Sequence, residues 1–187
     1  MDMPQLFRPT VIVLAAGRGE RFTASGGNTH KLAALLAGKP VLQHVLDAVR
    51  ASGLPHHVVQ ADASRPGMGD SIAAGVRATA DSAGWLILPG DLPLVSSDTL
   101  RAVAQALAQH AVVIPSYRGV RGHPVGFSAA CRDQLLALNG NQGAAPIVIS
   151  QTAINLVATL VLDDAGVVTD IDTLDDLAHA EKLLAAR

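Results

Sequence analysis

Thr10–Ala15, TVIVLA, running on into Ala16-Gly17-Arg18-Gly19-Glu20-Arg21, decides the fold. A short β-branched apolar run that stops at a glycine-bearing loop reads as a strand buried on both faces. Downstream, Pro40 suits a first helical position because its φ is already fixed, and Val41, Leu42, Val45, Leu46 and Val49 then mark one apolar helical face that Gly53 ends. His57–Gln60 reads as a second strand. A loop from Ala61 to Gly67 leads into a helix from about Asp70 to Thr79, with Ile72 and Val76 inward. Trp85–Leu88 is a third strand, which ends at Pro89-Gly90-Asp91. Ser96 or Ser97 caps a helix that reaches about His110, and Ala111–Ile114 is a fourth strand. Regular alternation of strand and helix predicts a three-layer α/β/α fold of Rossmann-like type, with a mostly parallel central sheet.

The second half is less regular. Pro124–Ser128 reads as an edge strand, with helices over Ala129–Leu138 and Gln142–Ser150. Leu156–Leu162 and Val167–Ile171, joined by Asp163-Asp164-Ala165-Gly166, read as a hairpin or two nearby strands. Thr173–Ala186 is a terminal helix, with Thr173 and Asp176 spaced for a capping box.

With 187 residues, 49% of them hydrophobic, the chain suits one domain, 1–187, with a substantial core. Fourteen Lys and Arg against 16 Asp and Glu give no basic field for nucleic acid or anionic lipid, and 3% aromatics argue against a base-stacking platform. Cys131, the sole cysteine, excludes an internal disulfide and reads as a buried structural thiol in preference to a nucleophile. No apolar run approaches the ~20 residues that span a bilayer, and Met1–Arg8 lacks the basic start and apolar run of a secretory signal. The expectation is a soluble cytoplasmic protein that does not engage a membrane. Charge is uneven: residues 1–50 hold six Lys/Arg against three Asp/Glu, while 163–187 hold two against seven. A basic beginning and an acidic end can meet as phosphate binder and metal binder, or remain solvated surface.

Parallel α/β sheets bind ligands at the carboxyl ends of their strands. In the loop after the first strand, Gly17 and Gly19 let backbone N–H groups approach a phosphate, and Arg18, Arg21 and Lys31 can neutralise it. The spacing is neither a dinucleotide fingerprint nor a P-loop, and an ordinary turn with surface arginines accounts for the loop equally well. In Pro89-Gly90-Asp91-Leu92-Pro93-Leu94, the carboxylate of Asp91 stands between two prolines with little freedom. That suits a Mg²⁺ ligand, or else a residue that only shapes the turn. His44, His56, His57, His110 and His179 show no metal spacing and read as surface or packing residues.

Five ordered segments together resemble the molybdenum cofactor nucleotidyltransferases: LAAGRGER with Lys31; Gly38-Lys39-Pro40-Val41-Leu42; GDLPLV; Arg121-Gly122-His123-Pro124-Val125; and Asp170-Ile171-Asp172-Thr173-Leu174. The resemblance implies an NTP-transferase domain with Mg²⁺ as cofactor. It places Leu14, Ala15, Ala16 and Gly17 around the nucleotide, with Arg18 and Gly19 in the same loop and Arg21 and Lys31 on the phosphates. Asp91 becomes the metal ligand, with Asp172 and then Asp170 as its acidic partner. Gly69 and Ser71, in a stretch similar to the family's G-x-x-x-S-L, are candidates for reading base or ribose, or simply a glycine-rich helix start. His123 and Pro124 fall near the acceptor.

The implied reaction joins a nucleoside monophosphate from an NTP to a phosphorylated small molecule, the molybdenum–pterin cofactor, and a molybdoenzyme is a candidate partner. Ala16 stands where guanylyltransferases carry a second glycine, which points to CTP. A GTP enzyme, a sugar-phosphate enzyme and a non-catalytic delivery module are the alternatives. Asn141 and Ala145 depart from the family's usual GD-x-GAR acid and arginine, so the acceptor side carries over least.

Overall fold

The computed structural model describes residues 7–64 and 67–187; the first six residues of the segment read for a secretory signal, and two in the 61–67 loop, lie outside that range. The chain runs β1 (Thr10–Ala15), α1 (Glu20–Ala24), β2 (Leu35–Leu36), β3 (Lys39–Pro40), α2 (Val41–Ser52), β4 (His56–Gln60), α3 (Met68–Ala78), β5 (Gly84–Pro89) and α4 (Ser97–Leu107). It continues with β6 (Val112–Tyr117), β7 (Val120–Arg121), β8 (Val125–Ser128), α5 (Arg132–Leu136), α6 (Ala145–Thr152), β9 (Val157–Val161) and α7 (Leu174–Ala185).

Seven strands form one sheet in the order β4-β1-β5-β8-β6-β7, with β9 paired to β6. β1 runs parallel to β4 and β5, and β6 parallel to β9; β8 lies antiparallel between β5 and β6. Side chains alternate across a strand, so each central strand feeds two cores. Val11, Val13, Leu86, Leu88 and Val113 pack with Val45 and Val49 of α2 and Leu100, Val103 and Leu107 of α4. Ile12, Trp85, Ile87, Val112, Ile114 and Phe127 pack on the other face with Ile72 and Val76 of α3, Leu135 of α5 and Ile147 of α6. The indole N–H of buried Trp85 donates to Thr79 Oγ1 at 3.0 Å, so its burial leaves no polar atom stranded.

The α/β/α architecture predicted from the alternation is present, and four local readings need correction. Pro124–Ser128 does not lie at an edge: β8 is interior, and apolar Phe127 and the bare backbone of Gly126 suit it to burial on both faces. Val167–Ile171 is not a strand; Ala165–Val168 forms a 3₁₀ turn. Asp164 causes this, because Oδ1 accepts from the Gly166 amide at 2.9 Å while Oδ2 takes the Ser96 amide at 3.0 Å and the Thr99 hydroxyl at 2.7 Å, tying the turn to the start of α4. The loop from Ala16 to His30 contains α1, and the helix expected from Gln142 starts only at Ala145, with Pro146 in its first turn. Among the described residues no helix is long and apolar enough to cross a membrane.

Candidate functional site

At the carboxyl ends of β1 and β5 the loops open onto a cleft of about 850 Å³. Gly19 sits at φ 68° as the residue before α1, a left-handed conformation that favours glycine, and it turns the chain so that Arg18 and Arg21 stand on the cleft wall. The loop is pinned from behind by His30. Its Nδ1 accepts the Leu32 amide at 3.2 Å, which leaves Nε2 to carry the proton and donate to the Gly17 carbonyl at 2.7 Å. His30 is a structural residue of the site that spacing could not reveal, because its two partners lie 13 residues upstream and two downstream.

Main-chain bonds then bring three loops together. The Gly90 amide donates to the Leu14 carbonyl at 2.9 Å, and the Ile171 amide donates to the Asp91 carbonyl at 2.9 Å. Asp91 and Asp172 are thereby held on either side of Lys31, whose ammonium donates to Asp91 Oδ2 at 2.6 Å and to Asp172 Oδ1 at 2.8 Å. Lys31 is only 8% exposed. Burial alone would lower its pKa, but the hydrogen bonds it donates to Asp172 and Asp91 and the charges of both outweigh that and raise it above the ordinary lysine value. The lysine therefore stays charged throughout the neutral range. Arg21 reaches Asp172 Oδ2 at 2.8 Å from the exposed side.

Asp172 is fixed by the start of α7. Its amide and that of Thr173 donate to Asp176 Oδ2 at 3.1 and 2.7 Å, and the Asp176 amide donates to Thr173 Oγ1 at 3.2 Å, the reciprocal capping box that the sequence spacing predicts. Although burial pushes the Asp176 pKa up, the Thr173 hydroxyl and the two amides outweigh it, and the net shift is downward. Asp176→Ala should cost about 1 kcal/mol at neutral pH, read by urea unfolding. A carboxylate whose folded pKa is depressed stabilises above its unfolded value near 3.9 and loses that stabilisation as pH falls through the folded pKa, so the gap between wild type and variant should close in acid. A gap that persists in acid would mean the cap does not depend on the charge.

The donor set fits a hard divalent cation. Asp91 Oδ1 is buried and has no hydrogen-bond partner among the described residues, a costly state for a carboxylate oxygen unless a cation or donor completes it. Partial burial, together with the negative charges of Asp172, Asp91 and Asp176, pushes the Asp170 pKa up. Among the described residues, however, no three His, Cys, Asp or Glu side chains stand together as a metal group, so Asp170 does not complete a preformed triad. In this conformation the acidic pair is Asp91 and Asp172, with Lys31 between them.

His123 lines the same cleft, near Asp91 and Asp170. Burial lowers its pKa, the charges of Asp91 and Asp170 and a backbone hydrogen bond at Ile87 offsetting this only in part, and its Nδ1 lacks a partner among the described residues. The ring is therefore neutral at pH 7, with one buried nitrogen left unsatisfied.

Leu14, Ala16, Gly17, Arg18, Gly19, Arg21, Lys31, Ser71, Asp91, His123, Asp170 and Asp172 all line the cleft, whereas Ala15, Gly69 and Pro124 do not. Ala15 is buried with Phe22 and Leu32 under the loop. Gly69 is a packing residue: a Cβ there would lie 2.5 Å from the Gln142 carbonyl oxygen and 2.7 Å from that of Asn139. Ser71 spends its hydroxyl on the Gly67 carbonyl at 3.1 Å. The sequence reading missed Val167 and Val168, which reach the wall because Asp164 folds their segment back, and it assigned no role to Arg121, which does line it.

Comparison with known proteins shows the family and the fold. The family model of the MobA-like NTP transferase domain matches residues 11–154. The purine catabolism protein PucB of Bacillus subtilis is 30% identical over 191 residues, covering 88% of this chain and 92% of its own. Among solved structures, a nucleotidyl transferase from Methanothermobacter superposes with a TM-score of 0.79 at 21% identity, covering 96% of this chain and 99% of that one. Rv0371c of Mycobacterium tuberculosis, solved in complex with manganese, superposes with a TM-score of 0.74 at 24% identity, covering 94% and 98%.

Proposed function

The chain belongs to the MobA-like NTP transferase family, and from that premise we propose that it moves cytidine monophosphate from CTP to the phosphate of the molybdenum–pterin cofactor and releases pyrophosphate. The observation that carries this reading is Lys31 held between Asp91 and Asp172 in the cleft, beneath the loop of Leu14–Gly17, with Asp91 Oδ1 left unpartnered. A site that couples a permanently charged ammonium to an incomplete acidic pair can hold triphosphate and cation together.

In the proposed reaction an oxygen of the acceptor phosphate forms a bond to the α-phosphorus as the bond from that phosphorus to the bridging oxygen breaks, and pyrophosphate carries away the electron pair. The attacking phosphate is already an anion, so no general base is required. The work left to the protein is alignment and charge compensation. Arg18, Arg21 and Lys31 face the triphosphate, and Lys31 and Arg21 offset the charge that grows on the departing pyrophosphate. When bound by Asp91 and Asp172, Mg²⁺ supplies further charge neutralisation for the NTP phosphates. Neutral His123, in the same cleft, faces the acceptor. A molybdoenzyme in the cytoplasm is the proposed recipient of the product.

Ala16 contributes to the choice of base, its methyl group taking space that a purine would need. Ala16→Gly should shift the CTP/GTP ratio of kcat/KM toward GTP by about tenfold, the scale of one methyl-sized contact; an unchanged ratio would assign base selection elsewhere. The direct test of the activity is pyrophosphate release with Mg²⁺ and CTP, GTP or ATP, with and without the cofactor. Release should require both CTP and cofactor. Release with GTP alone among the nucleotides would reassign the base, and none with any NTP would leave a binding role.

A further inference from the structure

We propose, on the transfer reading above, that Arg121 binds the phosphate of the acceptor, a phosphate monoester that enters the cleft from the β6 side. Four cationic side chains line the cleft: Arg18, Arg21, Lys31 and Arg121. Three of them are answered by carboxylates of the chain. Arg18 meets Glu20 at 3.5 Å, Arg21 meets Asp172 at 2.8 Å, and Lys31 meets Asp91 at 2.6 Å and Asp172 at 2.8 Å. Arg121 is exposed and has no ion pair or side-chain hydrogen bond among the described residues. A guanidinium keeps its proton at any ordinary pH, so this charge stands open to an anion that enters.

Close backbone packing fixes where Arg121 stands. Arg118 and Gly119, at φ 48° and 82°, turn β6 back into β7, which sets Arg121 opposite Ser116. The Gly122 amide then donates to Pro115 O at 2.8 Å, and the His123 amide to Val167 O at 2.9 Å. A Cβ on Gly122 would lie 2.2 Å from that same Val167 oxygen, so only glycine lets the two segments meet. The hairpin that carries Arg121 is thereby tied to the 165–168 turn, and Val120, Val167 and Val168 line the cleft with it. They offer apolar surface to the body of an ester whose phosphate Arg121 holds.

Sheet order shows why that position suits the acceptor. Arg18 and Arg21 follow β1, Asp91 follows β5, and Arg121 comes from the end of β6, across β8. In a displacement at the α-phosphorus the attacking and leaving oxygens lie roughly in line. With pyrophosphate held by the loop after β1, the attacking oxygen comes from the β6 side. That oxygen belongs to an anion that the triphosphate repels, so its approach needs a cation of its own. Among the described residues that line the cleft, Arg121 is the cation left to supply it. Two parallel N–H donors of a guanidinium match two phosphate oxygens, which fixes the direction of the ester as well as offsetting its charge.

Arg121→Gln and Arg121→Lys test this by calorimetric titration with the molybdenum–pterin cofactor alone and with CTP and Mg²⁺ alone, followed by steady-state transfer. Arg121 is exposed, so circular dichroism should not change. Arg121→Gln should weaken cofactor binding about 30-fold and raise the KM for cofactor in step, while the affinity for CTP stays within about twofold of wild type. Arg121→Lys, which keeps the charge and loses the fork, should fall between the two. A loss shared equally by CTP and cofactor would overturn the proposal. A wild type that transfers, with cofactor affinity unchanged in both variants, would sink the role of Arg121 alone. A wild type that neither binds the cofactor nor releases pyrophosphate would sink the transfer reading and the role of Arg121 with it.

Discussion

Asp91→Asn should lower kcat for nucleotidyl transfer by about a thousandfold, the scale seen when one electrostatic element of a preorganised site is lost. Asparagine keeps the size of the side chain, and the main-chain bonds at Gly90 and Asp91, to Leu14 and from Ile171, do not involve the carboxylate. The fold should therefore be kept, with a smaller loss of stability than removal of Lys31 brings, because Asp172 still pairs the ammonium. What disappears is the charge that meets Lys31 at 2.6 Å and the unpartnered Oδ1 that a cation would complete. Steady-state kinetics with circular dichroism as control would check it. Turnover retained near the wild-type level would remove Asp91 from the chemistry.

Lys31→Met should damage both stability and activity. Removing one member of a buried charge cluster leaves its partners desolvated and unpaired, at a cost of about 3–5 kcal/mol. Here Asp91 and Asp172 would face each other with the cation gone, apart from the exposed Arg21. Adding Asp172→Asn to Lys31→Met should recover part of that stability, because it removes one of the two repelling charges, and urea unfolding of both variants would show it. It should not recover transfer, since the ammonium facing the triphosphate is still absent. A double variant no more stable than Lys31→Met would mean that the carboxylates do not strain the fold.

Much of the first half of the architecture was legible because its main elements each have one strong cause, a β-branched run for β1, an apolar run for β5, a one-sided apolar face for α2 and a serine cap at Ser96 for α4, whereas α1, β2 and β3 were not read from the sequence and Pro40 stands before α2 and not in its first turn. The capping box at Thr173 and Asp176 was legible for the same reason, both partners lying within one turn. Nothing local shows that β8 inserts between β5 and β6, since a short strand after a glycine-rich loop reads the same at an edge as in the interior. Asp164 hid the fold of the 165–168 turn because its partners at Ser96 and Thr99 are distant in sequence.

At the site, the motif order located Lys31, Asp91 and Asp172, whose side chains the fold joins across 60 and 141 residues of chain. Gly69 misled because a glycine that allows a ligand close and one that allows another backbone close look identical in sequence; here the neighbour is the backbone of Asn139 and Gln142. His30 gave no signal because its role is to hold the Gly17 carbonyl in place.

The most direct test of the central claim is the fate of the α-phosphate of CTP labelled at that position, incubated with protein, Mg²⁺ and the molybdenum–pterin cofactor. Transfer predicts that the label enters the cofactor one-for-one with pyrophosphate release, and that Asp91→Asn loses both together. Label recovered only as free CMP, or left wholly in CTP, would contradict it.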